Sequence, residues 1–83
     1  MLEESVKMNF SVSGRNASEI VFSVNSLGCF VYIEKNGRCV NAKSILGLLS
    51  LNLQTGDEVK ILVNGNNEED EKADMPKVLK LFN

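Results

Sequence analysis

Ser44 is the side chain in this sequence best placed for chemistry. It follows Lys43 and stands directly before Ile45-Leu46-Gly47-Leu48-Leu49. A serine ahead of such an apolar, helix-compatible run reads as a helix N-cap. A phosphate on that hydroxyl would be tolerated, because free N–H groups and the positive end of the helix dipole favour nearby negative charge by roughly 0.3–1 kcal/mol per charge. An unmodified serine at the same place is a cap worth about 1 kcal/mol, and the residues alone allow both roles. Other chemistries are closed by composition. The 83 residues contain no histidine, so no Ser–His or Cys–His pair is available to activate a nucleophile. Two cysteines without a histidine make a poor zinc site, and neither metal nor cofactor is expected.

The elements that must position Ser44 start with the Asn36-Gly37 dipeptide. Between apolar-rich arms it predicts a two-residue hairpin, because a type I′ turn needs positive φ at both central residues. Lys35 then faces Arg38 and Glu34 faces Cys39, which leaves Cys29 beyond disulfide reach of Cys39. Two reduced thiols fit a cytosolic chain. The first hairpin strand spans Cys29 to Lys35, with Val31 and Ile33 on one face and Phe30 and Tyr32 on the other. The second lies around Arg38 to Asn41. Ser44 to Leu51 is a short helix, Asn52 to Gly56 a turn, and Glu58 to Val63 a strand with Val59, Ile61 and Val63 inward.

Flanking these, Glu3 to Phe10 alternates Val6, Met8 and Phe10 with polar residues and predicts a strand. Asn16 and Glu19 form a capping-box-like pair. Ala17, Ile20, Val21, Val24 and Leu27 then recur at helical spacing, and Gly28 stands where a C-terminal glycine is expected. Met75, Val78, Leu79 and Phe82 also have helical spacing. An interior proline costs a helix about 3 kcal/mol, so the last helix is expected to begin near Asp74, with Pro76 in its first turn. The alternative makes the acidic stretch Glu68 to Asp74 a first turn or two ending in a kink. The order β-α-β-β-α-β-α predicts an α+β fold, a four-stranded antiparallel sheet with three helices on one face. Phe30 and Tyr32 project from the other face, as ordinary surface pairing or as a contact surface.

Residues 1–83 are read as a single domain with one modest core, since a chain this short buries only about 60–65% of its unfolded surface. A net charge of −2 and a pI near 5.0 argue against nucleic acid as the main partner. No apolar run approaches the roughly 18 residues that would cross a bilayer. The acidic start Met1-Leu2-Glu3-Glu4 is unlike a secretory leader. The expected location is cytoplasmic, with no membrane partner, and the sequons at Asn9 and Asn16 are then irrelevant.

The run NGRCVNAKSILGLLSL, Asn36 to Leu51, resembles the central segment of HPr, the small phosphocarrier of the bacterial sugar phosphotransferase system. The resemblance covers nearly the whole chain and needs no gap from about Ser13 to Leu81. It implies the HPr-like open-faced β-sandwich. HPr proteins carry Gly-Ile/Leu-His-Ala-Arg-Pro-Ala where the first strand feeds the first helix. The corresponding residues here are Ser11-Val12-Ser13-Gly14-Arg15-Asn16-Ala17. The arginine and final alanine are kept. Ser13 replaces the histidine, and Asn16 replaces the proline.

The chemistry differs accordingly. A phosphorylated imidazole is an energy-rich phosphoramidate that passes its phosphoryl group on, whereas a serine phosphate is a stable ester and a poor donor. The site at Ser13, Arg15 and Asn16 is therefore degenerate, and no catalytic residue and no enzyme activity are expected. Ser13 reads as a loop or cap residue. Arg15 beside a helix start either binds an anion or is simply solvated. In HPr proteins of Gram-positive bacteria the serine matching Ser44 is phosphorylated by a dedicated kinase, and the pattern Asn41-Ala42-Lys43-Ser44-Ile45-Leu46-Gly47 is kept here. Residues matching Ile45, Leu46 and Leu49 belong to the family's docking patch for partner proteins, and with Arg15 they would form a similar surface. Core packing is the alternative for each leucine taken singly.

The resemblance thus implies a regulatory docking protein that lacks histidine phosphotransfer, as do the catabolite-repression HPr paralogues. Its partners would be phosphotransferase-system proteins or a transcriptional regulator, with an HPr-directed serine kinase acting on Ser44. The alternatives are a diverged phosphocarrier phosphorylated on Ser13 and a stand-alone interaction module.

Overall fold

The Asn36-Gly37 turn sets the register of the sheet. In the computed structural model, which describes residues 1–82, Asn36 (φ 53°) and Gly37 (φ 82°) both take positive φ, as a two-residue hairpin turn requires. They join β2 (Phe30–Lys35) to β3 (Arg38–Asn41), with Lys35 opposite Arg38 and Glu34 opposite Cys39. β4 (Glu58–Asn64) pairs antiparallel with β2 and also with β1 (Leu2–Lys7), giving the order β1-β4-β2-β3.

Val63 pairs with Val31 and Leu2, Ile61 with Ile33 and Glu4, and Val59 with Val6. This register puts Val31, Ile33, Val59, Ile61 and Val63 on one face, where all five are buried. Full burial of such side chains stabilises the fold by about 1.5–3 kcal/mol each. Three helices cover that face: α1 (Gly14–Asn25), α2 (Ile45–Ser50) and α3 (Glu68–Leu81). α1 contributes Ala17, Ile20, Val21 and Val24, α2 contributes Leu48, and α3 contributes Met75 and Val78, with Phe82 just beyond it. The α+β architecture with antiparallel sheet and helices on one face is the one expected. Phe30, Tyr32 and Leu62 stand on the uncovered face, and Cys29 and Cys39 are both free thiols.

Four local expectations are corrected. β1 stops at Lys7 and not at Phe10: beyond it the Met8 N–H donates to the Asp57 carbonyl at 2.8 Å, and the Met8 carbonyl accepts from Gly56. α1 starts at Gly14, because Ser13 and Asn16, not Asn16 and Glu19, form its capping pair. Gly28 is no left-handed C-cap. The helix instead closes on Ser26 (φ −76°), whose N–H donates to the Ser23 carbonyl at 3.2 Å, while the Leu27 N–H donates to Val24 at 3.1 Å.

The largest difference lies in α3, which begins at Glu68, so that Pro76 is the ninth of its 14 residues. Asn67 caps it by accepting the Asp70 N–H at 2.9 Å. Four consecutive acidic residues occupy the first turn, where the dipole favours them. Glu71 and Asp74 turn inward and find backbone donors, Gly65 N–H at 2.9 Å and Cys29 N–H at 3.3 Å. Lys72 and Pro76 lie on the exposed side, so the carbonyl that Pro76 leaves unpaired faces water, which lowers the cost of an interior proline.

Candidate functional site

Two segments carry the candidate residues, one before α1 and one before α2. The first is Ser11 to Asn16. Ser13 is an extended N-cap residue (φ −125°, ψ 173°) whose carbonyl accepts the first helical bond from Ala17 at 2.8 Å. Its own N–H donates to Asn16 Oδ1 at 2.7 Å, while Asn16 Nδ2 donates to the Ser11 carbonyl at 2.9 Å. Asn16 therefore closes the segment on itself. Behind it, the Val12 N–H donates to Leu53 and the Thr55 N–H to Ser11 Oγ, pinning the segment to the loop that leads into β4. Ser13 and Arg15 are exposed, and among the described residues Arg15 forms no ion pair.

The second segment is Asn41 to Gly47. Asn41 Oδ1 accepts the Lys43 N–H at 2.9 Å, and the Asn41 carbonyl accepts from Ser44 at 3.1 Å, a local turn that ends β3. Ser44 is extended (φ −107°, ψ 121°), and its Oγ accepts the Gly47 N–H at 3.1 Å. This is the N-cap bond its position implied. Gly47 suits the close approach of this turn to β3, since a Cβ there would stand 3.3 Å from the Asn41 carbonyl oxygen. Lys43 turns away from Ser44: its ammonium donates to the Leu27 carbonyl at 3.0 Å and lies 5.9 Å from the Phe30 ring centroid.

The two segments meet through Asn25. At the end of α1 its amide donates to the Val21 carbonyl at 2.8 Å and to the Lys43 carbonyl at 3.1 Å, and α1 and α2 pack together. The far end of α2 is held by Lys35. Its ammonium donates to the Leu51 and Asn52 carbonyls at 3.2 and 2.9 Å and pairs with Asp57 at 2.8 Å. That pairing, with the Gln54 N–H, holds the Asp57 carboxyl below its ordinary pKa.

Held at both ends, α2 divides its apolar residues sharply. Leu48 and the following Leu51 are buried. Ile45, Leu46 and Leu49 are 42%, 82% and 36% exposed, so the three residues singled out in the sequence are those that face solvent. The sequence reading passed over Phe22, which is 81% exposed on α1. Its signal was available: Phe22 falls outside the arc defined by Ala17, Ile20, Val21 and Val24. Among the described residues no group of three or more Cys, Asp and Glu side chains gathers to hold a metal ion, and no helix is long and apolar enough to cross a membrane.

Comparisons with known proteins agree with this geometry. Residues 5–83 match the family model described as the PTS HPr component phosphorylation site. The HPr-like protein Crh of Bacillus subtilis (strain 168) is 38% identical over 65 residues, 78% of this chain and 76% of the relative. The phosphocarrier protein HPr from Bacillus anthracis superposes with a TM-score of 0.87 at 27% identity, over 99% of this chain and 96% of the other. The crystal structure of Bacillus subtilis Crh gives a TM-score of 0.77 at 35% identity, over 93% of this chain and 85% of the other.

Proposed function

The chain belongs to the HPr family, and from that premise we propose that it is a regulatory docking protein of the bacterial sugar phosphotransferase system that carries no phosphate on histidine. The observation that carries the reading is the segment at Ser13. The chain has no histidine. At the position that aligns with the family's phosphorylated residue stands a helix-cap serine, fixed by Asn16, and among the described residues no base hydrogen-bonds its hydroxyl. A phosphoryl group on Ser13 would be a stable ester, unsuited to onward transfer. The chain acts as one domain in the cytoplasm, has no enzyme activity of its own, and needs no cofactor.

Regulation falls to Ser44, modified by an HPr-directed serine kinase. Its hydroxyl is exposed at the start of α2, and a phosphate there adds about −1.5 to −2 charge at neutral pH beside Ile45, Leu46 and Leu49. The first-turn N–H groups accommodate that charge, so modification changes the choice of partner more than the fold. Arg15, Ile45, Leu46 and Leu49 form the docking surface. The partners are proteins of the phosphotransferase system or a transcriptional regulator.

Incubation with phosphoenolpyruvate and the first enzyme of the phosphotransferase system tests the loss of phosphotransfer. The expected result is no phosphate on this chain. Onward transfer of phosphate from Ser13 to a sugar-specific component would overturn the reading in favour of a diverged carrier.

A further inference from the structure

We propose that the uncovered face of the sheet binds the same face of a second copy of this chain, in a weak symmetric dimer whose two-fold axis runs parallel to the strands, between β4 and β2. The face lies opposite the helices, so this pairing leaves α1 and α2 free. Its centre is apolar. Phe30 is 57% exposed, and its neighbours Tyr32 and Leu62 are only half-buried. Tyr32 stands directly opposite Leu62 on the adjacent strand, and Phe30 opposite Asn64. Single exposed apolar residues are common on protein surfaces, whereas contiguous ones mark contact sites. Beside this cluster lies charge. The next pair along β2 and β4 is Glu34 and Lys60. Lys60 makes only a loose ion pair, with Glu3 at 3.9 Å, and among the described residues Glu34 has none.

The register decides the occupant. A two-fold axis between β4 and β2 exchanges the members of each cross-strand pair. Leu62 of one copy then lies over Tyr32 of the other, Asn64 over Phe30, and Lys60 over Glu34, and each contact occurs twice. Apolar meets apolar at the centre, cation meets anion beside it, and Glu34 gains the partner it lacks. A two-fold axis at right angles, across the strands between these two rows, would instead set Lys60 on Leu62 and Glu34 on Tyr32. Charge would then be buried against apolar groups, which is costly. Both members of each complementary pair stand on one face, so that face fits itself, whereas a partner carrying a single sign of charge would satisfy only one of them.

The size of the face sets the strength of the contact. Two sheets pack face to face about 10 Å apart with their strands within about 30° of each other, a gap that Lys60 and Glu34 can bridge. Four strands about 4.8 Å apart, rising about 3.3 Å per residue, make a face of roughly 400 Å². That is about half of the roughly 800 Å² per partner of a standard stable interface. The dimer is therefore weak and reversible, with a dissociation constant of about 0.1–1 mM.

Sedimentation equilibrium of the full chain, at low salt and up to about 2 mM protein, tests the proposal. A reductant is present, so that the exposed Cys39 cannot crosslink two copies. The wild type is compared with Lys60→Glu, Glu34→Lys and the charge-swapped double variant, each checked for cooperative thermal unfolding. Each single variant sets like charges against each other across the axis and is expected to weaken self-association about tenfold or more. An equimolar mixture of the two single variants restores opposite charges at both contacts, and should recover association to within about threefold of wild type. Mixing repairs nothing within either chain, so recovery reports the contact between copies. The double variant should associate alone as the wild type does. A wild type that stays monomeric over this range would overturn the proposal and leave the face open to some other partner. A dimer that both single variants leave intact, or a mixture that fails to recover, would place the contact on another surface and overturn it equally.

Discussion

Asn16 Oδ1 accepts the Ser13 backbone N–H at 2.7 Å, and the Asn16 amide donates to the Ser11 carbonyl at 2.9 Å. One side chain thus spans the segment that we propose to be this chain's degenerate phosphocarrier site, and Ser13 and Asn16 together make a well-satisfied helix start there.

Asn16→Ala removes both bonds and is expected to lower stability by about 1–2 kcal/mol. Glu19→Ala, at an exposed position three residues on, should change it by less than about 0.5 kcal/mol. Urea unfolding of the two variants decides the point. Equal losses would restore Asn16 and Glu19 as the capping pair.

Gly65 touches Cys29 too closely for a side chain. A Cβ on Gly65 would stand 2.6 Å from Cys29 Sγ, a buried thiol. Gly65→Ala should therefore cost about 1–3 kcal/mol, and markedly less in a Cys29→Ala background, where the sulfur is gone. The same burial, reinforced by Asp74, pushes the Cys29 thiol up to about 11. A thiol reagent should accordingly modify exposed Cys39 in the native protein while Cys29 reacts only on unfolding. An equal cost for Gly65→Ala in both backgrounds would contradict the contact.

Glu71 gives the fold an acid sensitivity with a defined sign. Its carboxylate accepts the Gly65 N–H at 2.9 Å and pairs with the Met1 ammonium at 3.1 Å. First the Gly65 bond and then the ammonium hold it below its ordinary value of 4.5. A carboxyl with a depressed folded value contributes stability fully above its unfolded value and loses it as the pH falls through the folded one. Glu71→Gln should thus be less stable than wild type at neutral pH, with the gap closing below about pH 4.5. Asp57, also held low by Lys35, is unchanged in both proteins. A gap constant down through the acid range would sink this assignment.

How much of this was legible in the sequence follows from where each determinant lies. The hairpin, the Ser44 cap and the alternation of Val59, Ile61 and Val63 are set by residues within a few positions of one another, and all three appear in the structure. That Ile45, Leu46, Leu48, Leu49 and Leu51 could not all face inward was legible from the shortness of α2, whereas the choice of Ile45, Leu46 and Leu49 among them came from the HPr resemblance.

The expected start of α3 near Asp74 failed, and the alternative that makes Glu68 to Asp74 helical held, because the acidic half is stabilised from a distance. Glu71 and Asp74 turn inward because Gly65 and Cys29 supply backbone donors, which the acidic run alone does not show. The start of α1 was displaced because Asn16 offers two capping geometries, and only the tie of Ser11 and Val12 to Leu53 and Thr55 selects the earlier one. Phe22 was passed over because attention to a helix's buried arc leaves its outer face unread.

Phosphorylation of Ser44 bears most directly on the central claim, that control of this protein resides at the start of α2 and not at Ser13. The measurement is site mapping by mass spectrometry after treatment with ATP and the HPr-directed kinase, for the wild type and for Ser44→Ala. Loss of the cap bond to Gly47 costs the variant about 1 kcal/mol, which leaves it folded. A single phosphate on Ser44 in the wild type, with none on the variant, is the predicted result. Equal labelling of both proteins, or labelling of neither, would contradict the account and leave Ser44 a helix cap alone.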